Sequence, residues 1–208
     1  MKALGQGRFS GASGVYSAAP GGLDATLKKL VCRREVFLKP AVGGTNVLAQ
    51  KAADFDVTAG FTHPAHARNL QVVFSATWNG GNVVVTGHCA DGVERSETFV
   101  AIAGGNTAVG TVAFTNITRA RNTGTRLAGT VDAQLADTAA TVFGVCARRV
   151  SEFLKLVSNG AQEAIAAKSE LLGTFRPTTV PDAALHYEIT YLCEAVGDLH
   201  ASEEEASL

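Results

Sequence analysis

Residues 77–99 read TWNGGNVVVTGHCADGVERSETF, and this stretch decides the fold class. Asn79-Gly80 and Asp91-Gly92 are strong short-range hairpin signals, because these residue types accept positive φ at both turn positions. Between them lies NVVVTGHC, with Val83, Val85 and Cys89 on one face of a period-2 alternation. Upstream, NLQVVFSATW puts Leu70, Val72, Phe74, Ala76 and Trp78 on one face, with Gln71, Ser75 and Thr77 opposite. Downstream, ERSETFVAI begins polar and ends apolar. These segments predict a three-stranded antiparallel meander folded by two glycine turns.

Strand signals continue outward from it. TVAFTNITRA reads as a fourth strand, reached through the glycine-rich residues 103–110. ATVFGVC is a further apolar run, and in RRVSEFLKLV the apolar Phe153 and Val157 flank charged positions. Asn159-Gly160 predicts a third hairpin, and GTFRP and HYEITYLC predict two late strands joined by TTVPDAA, where Pro181-Asp182 suits a turn. Two segments resist a strand reading. LDATLKKLV (residues 23–31) has helical spacing at Leu23, Leu27 and Leu30, and AQEAIAAKSELL (residues 161–172) consists of strong helix formers.

Composition excludes several classes. At 208 residues, with 46% hydrophobic and 18% charged side chains, the chain is long and apolar enough for a packed core. Eighteen basic residues against 19 acidic ones leave a net charge of -1, so no global field draws in nucleic acid or an anionic membrane. No apolar run approaches the ~18 residues of a membrane-spanning helix. Residues 1–22, MKALGQGRFSGASGVYSAAPGG, lack the continuous apolar core of a secretory signal and read as a Gly/Ser/Ala arm ordered by a neighbouring chain. The tail ASEEEASL is acidic and lacks apolar anchors.

The search for chemistry finds isolated groups. His63 and His66 lie three apart in THPAHARN, but Pro64 between them opposes a helical metal site, and they read as solvent-exposed loop histidines. His88 and Cys89 are adjacent on a strand and so face opposite ways, which prevents a base–nucleophile pair. His186 reads as a surface or interface residue. Glu94 and Glu97 read as the wet face of one strand, and Asp54, Asp56, Asp91 and Asp132 form no calcium loop. The chain has no G-x-S-x-G, P-loop or dinucleotide fingerprint. Arg33-Arg34, Arg148-Arg149, Arg119, Arg121 and Arg126 read as solvated strand ends and subunit salt bridges rather than a nucleic-acid patch. Cys32, Cys89, Cys146 and Cys193 form no C-x-x-C pair. They read as reduced core residues, or as disulfides formed after release from the cell, with three pairings open.

A resemblance joins these pieces. HARNLQVVFSATWNGGNVVVTGHCADGVERSETFVA resembles a pattern of tailed-bacteriophage virion proteins, in which an Arg-Asn pair precedes a strand and glycine turns lead into the next strands. GTVAFTNIT, KLVSNG and GTFRPTTVPDAALHYEITY resemble later strands and closing hairpins of that family, so the likeness spans residues 55–191. The resemblance implies an all-β, antiparallel β-sandwich or jelly-roll-like domain over 55–194. An extended N-terminal arm with peripheral elements would occupy 1–54, and a flexible acidic tail 195–208. It turns the reading of residues 161–172 towards a hairpin arm. It also implies a non-enzymatic virion protein without cofactor, catalytic set or metal, made in the host cytoplasm. The expected role is a capsid decoration (cement) protein that bridges capsomers. Its partners would be the major capsid protein or neighbouring virion proteins and further copies of itself as a trimer or ring, with neither membrane nor specific nucleic acid. A head–tail connector or tail protein is the alternative within this class. Outside it stands a carbohydrate-binding β-sandwich, whose best aromatic platform is Trp78, although the phase of Trp78 with Leu70, Val72 and Phe74 points to core.

Overall fold

A computed structural model of the protein describes residues 15–16, 30–38, 43–136, 141–147, 150–179 and 184–194. Along them run β1 (Val15–Tyr16), β2 (Leu30–Leu38), β3 (Asn46–Lys51), β4 (Asp56–Val57) and β5 (Leu70–Phe74). Next come β6 (Val83–Cys89), β7 (Glu94–Phe99), β8 (Asn106–Val109), β9 (Phe114–Asn122) and β10 (Val131–Leu135). Then follow β11 (Phe143–Gly144), β12 (Val150–Ser158), β13 (Ala161–Glu163), β14 (Ile165–Ser169), β15 (Thr174–Pro177) and β16 (His186–Glu194). There is no helix among these residues, and the strands pair antiparallel. The expected all-β antiparallel fold is the one the chain adopts.

Among the described residues, four sheets enclose two cores. The sheet β3-β10-β5-β8 shares one core with β4-β9-β6-β7, filled by Leu70, Val72, Phe74, Trp78, Val83, Phe99 and Phe114. The sheet β1-β2-β16-β12-β13 shares the other with β11-β15-β14, filled by Phe37, Phe143, Phe153, Phe175, Tyr187 and Tyr191. β6 shows why the sequence folds this way: buried and half-buried residues alternate along its whole length, the pattern of a strand with one face on a core. β2 and β3 lie ahead of residue 55, yet Phe37, Val47 and Leu48 are buried in the cores, and β2 pairs with β16 along its full length.

Two of the three expected hairpins form. At Asp91-Gly92, Cys89 N–H donates to the Val93 carbonyl (3.0 Å), and Gly92 takes φ 73°. Asp91 accepts from the Val93 amide (3.0 Å) and holds the Arg95 guanidinium at two points. At Asn159-Gly160 the turn is two residues long, with φ 47° and 83°, and Ser158 pairs with Ala161. Both central residues in the left-handed region is the geometry that matches strand twist.

Asn79-Gly80 does not make a hairpin, which corrects the meander. β5 ends at Phe74, the Trp78 amide donates back to the Ser75 carbonyl (3.0 Å), and Ala76 faces solvent. The chain then crosses from one sheet to the facing one, so β5 pairs with β10 and β8 while β6 lies between β9 and β7. Both edges of β5 are already taken, one by β10 and the other by β8, so no edge is left for β6, and both faces of the strand carry buried residues. The positive φ falls at Gly81 (76°) rather than on the Asn79-Gly80 pair, and Asn79 Oδ1 instead accepts from the Leu127 and Ala128 amides (2.8 and 2.9 Å).

Residues 161–172 are not a helix. Ala161–Glu163 extend the five-stranded sheet beside β12, and Ile165–Ser169 pair with β15. Two open sheet edges and the contact of Ile165 with the second core override local propensity. Of the expected helix at residues 23–31, Leu30 and Val31 open β2, and the remainder lies outside the described residues. Within the expected arm, Val15 and Tyr16 pair with Val31 and Leu30 of the same chain. The rest of the arm, Arg148-Arg149, Pro181-Asp182 and the acidic tail lie outside the described residues.

Candidate functional site

The groups singled out from sequence are spread over the molecule and mostly committed to neighbours. His63 Nδ1 accepts from the Ile117 amide (3.2 Å) and the His66 Nε2–H donates to the Leu38 carbonyl (2.8 Å), so the two rings serve different strands. His63 is exposed as expected, but His66 is half-buried against Phe37, a correction that follows from its tie to the end of β2. His88 faces outward between Glu94 and Asn116 while Cys89 enters the first core, the opposition expected of adjacent strand residues. His186 is half-buried at the start of β16, paired with Leu38.

Cys89 and Cys193 are buried, Cys32 is half-buried and Cys146 exposed. The register of β2 on β16 sets Cys32 opposite Leu192 and Cys193 opposite Val31. Adjacent residues face opposite sides of a sheet, so Cys32 and Cys193 cannot join within one chain. Cys89 belongs to the other core. Burial pushes the thiols of Cys89 and Cys193 up, against a smaller opposing effect of Arg95 and Arg33 respectively, which disfavours the nucleophilic thiolate. Nearby, Glu35 accepts from the Cys146 amide (2.7 Å) and from the Tyr191 hydroxyl, and Arg33 donates to the Cys146 carbonyl (3.3 Å). Burial, then Glu35, pushes the Tyr191 phenol up, so it stays protonated as a donor.

The carboxylates are structural. Glu94 lies on the wet face of β7, but Glu97, three residues on, faces the other way. This corrects the pairing of the two acids, and strand parity is its cause. Glu97 accepts from the amides of Thr111 (2.6 Å) and Val112 (3.3 Å) and fastens the β8–β9 connection. Burial pushes its carboxyl up, partly offset by these bonds. A raised acid pKa means the folded protein holds its proton more tightly than the unfolded chain, so this term weakens as pH rises through the folded value. Relative to Glu97→Gln, wild-type stability is therefore expected to fall as pH rises above the ordinary glutamate value of about 4, read by urea denaturation at each pH. A difference that stays flat or rises with pH contradicts it.

The arginines form no single patch, although Arg119 and Arg121 both act on Asp56, which pairs in register with Arg121. Arg119 makes two contacts with Asp56 and Arg34 pairs with Glu188, on different sheets, and Arg126 donates to the Gly129 carbonyl (2.9 Å). The Arg119 bond holds Asp56 below the usual carboxylate range, and Arg34 does the same for Glu188. A cavity of about 450 Å³ beside Asp54 and Asp56 is thus walled by acids already engaged, Asp54 with Asn122 (3.0 Å). A second, of about 370 Å³, runs between β12 and β14 past Lys155, Glu163 and Lys168. Burial raises the Glu163 carboxyl, but bonds from Thr178 and Thr179 outweigh it and hold it low. Trp78 is core, 7% exposed, with Nε1 donating to the Gly81 carbonyl (2.7 Å), so the aromatic platform of the carbohydrate reading is buried.

A site the local pattern missed is the Arg68-Asn69 pair at the head of β5. Both are buried. Arg68 bridges to Phe114 on one side and Phe143 on the other, and so links the two cores. Its guanidinium donates to the Ala136 carbonyl (2.7 Å) and Thr141 Oγ1 (2.9 Å) and lies 5.8 Å from the Phe143 ring centre. Asn69 donates to the Gly110 carbonyl (2.7 Å) and accepts from the Val142 amide (2.8 Å). The only sequence signal was the Arg-Asn element of the virion-protein resemblance.

Among the described residues, exposed apolar side chains include Leu154 on β12, the loop residues Leu127 and Leu171, and two groups of neighbours. Val36 and Leu38 project from the outer face of β2, Leu38 at 63% exposure. Val100, Ile102 and Val109 stand exposed around β8, Ile102 at 61%. Asn106 fixes their loop, accepting from the Ile102 amide (2.9 Å) and donating to the Val100 carbonyl (3.1 Å). Comparison with known protein families, curated proteins and solved structures finds no match to this chain.

Proposed function

We propose that this is a non-enzymatic structural protein of a tailed-bacteriophage virion, made in the host cytoplasm and added to the capsid as a decoration protein. The observation that carries the reading is the apolar surface just described. Large side chains stand exposed on paired strands and on a tied loop, which suits coverage by another protein. The motif resemblance over residues 55–191 supplies the class. A cement protein acts by burying such surface across joints between capsomers, so many modest contacts add up over the shell. Neighbouring major capsid proteins are the expected partners, with the part of residues 1–22 ahead of β1 reaching a neighbouring subunit while β1 stays on β2.

Purified protein is expected to attach to capsids that lack it and to raise the temperature at which they open. Capsids that neither bind it nor gain heat resistance would sink the decoration role. Copy number separates the connector alternative: hundreds per virion for decoration, on the order of a dozen for a junction ring of closed cyclic symmetry. Deleting residues 1–22 is expected to weaken attachment, and unchanged attachment would remove the arm from the mechanism.

A further inference from the structure

The strands at the sheet edges differ in one respect. Exposed edges invite pairing with other chains, and proteins usually blunt them with charges, bulges or brevity. β3 carries Lys51 and two register shifts, and β7 carries Glu94, Arg95 and Glu97. β13 ends in Glu163, and β14 has Lys168 and a register shift. β1, β4 and β11 are two residues long. β8 has none of these devices. Its register on β5 is regular over all four residues, it contains no proline, and no ionisable side chain occurs from residue 98 to residue 118.

The open side of β8 can be assigned group by group. Gly110 N–H donates to the Leu70 carbonyl (2.9 Å), opposite which it sits. Antiparallel pairing alternates, so Ala108 and Asn106 also direct their backbone groups to β5, and those of Thr107 and Val109 point away from the sheet. The same alternation leaves the side chains of Thr107 and Val109 exposed, with Val100 and Ile102 exposed close by.

We propose that β8 pairs antiparallel with β8 of a second copy of this chain, about a two-fold axis at Ala108. This register sets Thr107 of each copy opposite Val109 of the other. Each outward N–H and C=O then meets a partner, and the two four-stranded sheets become one continuous sheet. The occupant is a second copy because a two-fold contact brings every charge near its own image. The segment 98–118 carries no charge of its own to the axis, and the carboxylate beside it, Glu97 at Gly110, is held by the Thr111 and Val112 amides two or more residues from Ala108. The inference rests on the sheet edge alone and holds or fails apart from the virion reading.

The measurement is the mass of the full-length protein in solution over a concentration series. Wild type is expected to be dimeric at high concentration. Thr107→Pro removes an outward N–H but none of the β5 ladder bonds, since proline is tolerated on an edge facing solvent. Val109→Lys sets like charges beside the axis. Either variant is expected to raise the dissociation constant about tenfold or more, with its dilute-solution melting temperature unchanged. Wild type that remains monomeric up to about 1 mM, or a folded Val109→Lys that dimerises like wild type, overturns the proposal. Should Thr107→Pro fail to fold, Val109→Lys decides alone. Amide exchange gives a second reading: Thr107 and Val109 should exchange more slowly in concentrated than in dilute protein, and equal rates refute the pairing. Monomeric variants that still bind capsids would leave the virion reading standing.

Discussion

Arg68→Ala is expected to lower the free energy of unfolding by about 3–5 kcal/mol, the range for emptying a large, hydrogen-bonded buried site. The side chain is 2% exposed and stands where the two cores meet. Alanine leaves the Ala136 carbonyl with only the Thr141 hydroxyl (3.1 Å), strips a donor from Thr141, and opens a cavity against the Phe143 ring. Arg68→Met separates these effects. It keeps most of the volume and loses both bonds from Nη2, so a loss of roughly 2–3 kcal/mol is expected, about 1 kcal/mol or a little more for each of two buried hydrogen bonds. Lysine is not a conservative choice here, because both bonds leave one nitrogen, Nη2, in the fixed plane of a guanidinium that also lies over the Phe143 ring, and a compact ammonium on a flexible stem lacks that plane. Urea denaturation of the three proteins, with m-values compared, makes the test. If Arg68→Ala loses less than about 1 kcal/mol, the Arg68 side chain does not hold the cores together, and the bridging role given to it fails.

The same residue shows where sequence reading stops. Its partners Ala136 and Thr141 lie 68 and 73 positions away, so nothing local distinguishes a buried Arg-Asn pair from a polar lead-in to a strand. Alternation marks β6 and β16, but β9 and β12 were legible only as apolar segments. They bury every third residue (Phe114, Ile117 and Ala120; Val150, Phe153 and Leu156), because register shifts interrupt their pairing, and the alternating β10 was not read at all. Glycine turns were legible where the flanking strands also pair, at Asp91-Gly92 and Asn159-Gly160. At Asn79-Gly80 the local signal was equally strong, and the pairing of β10 and β8 with the two edges of β5, both distant in sequence, outweighed it. Propensity failed at residues 161–169 for a related reason, since edge pairing with β12 and β15 is a tertiary term absent from any short window. The β8 edge was in principle visible as an uncharged run, but a run of small residues becomes a sheet edge only when its neighbours are known.

Trp78→Ala is expected to cost about 3–5 kcal/mol as well, through loss of a large core side chain. The indole lies 6.2 Å from the Phe74 ring, centre to centre, and donates through Nε1 to the Gly81 carbonyl, so the substitution removes core contact and the donor that anchors the sheet crossing. Two glycines are built around it. A Cβ at Gly80 would come within 2.4 Å of the indole ring, and one at Gly129 within 2.3 Å of the Trp78 amide nitrogen, where φ is already +84°. Gly129→Ala should therefore destabilise in the same direction, by backbone clash and left-handed strain together, whereas Trp78→Phe keeps a ring, loses the donor, and is expected to cost less than alanine. Thermal unfolding ranks the set: Trp78→Phe above Trp78→Ala, and Gly129→Ala below wild type. The ranking bears on function as well as on folding. A surface platform for sugar would leave the melting temperature almost unchanged on truncation to alanine and abolish glycan binding, while a core indole does the reverse. A Trp78→Ala protein that melts like wild type but loses glycan binding would return the indole to the surface and the protein to the carbohydrate-binding class.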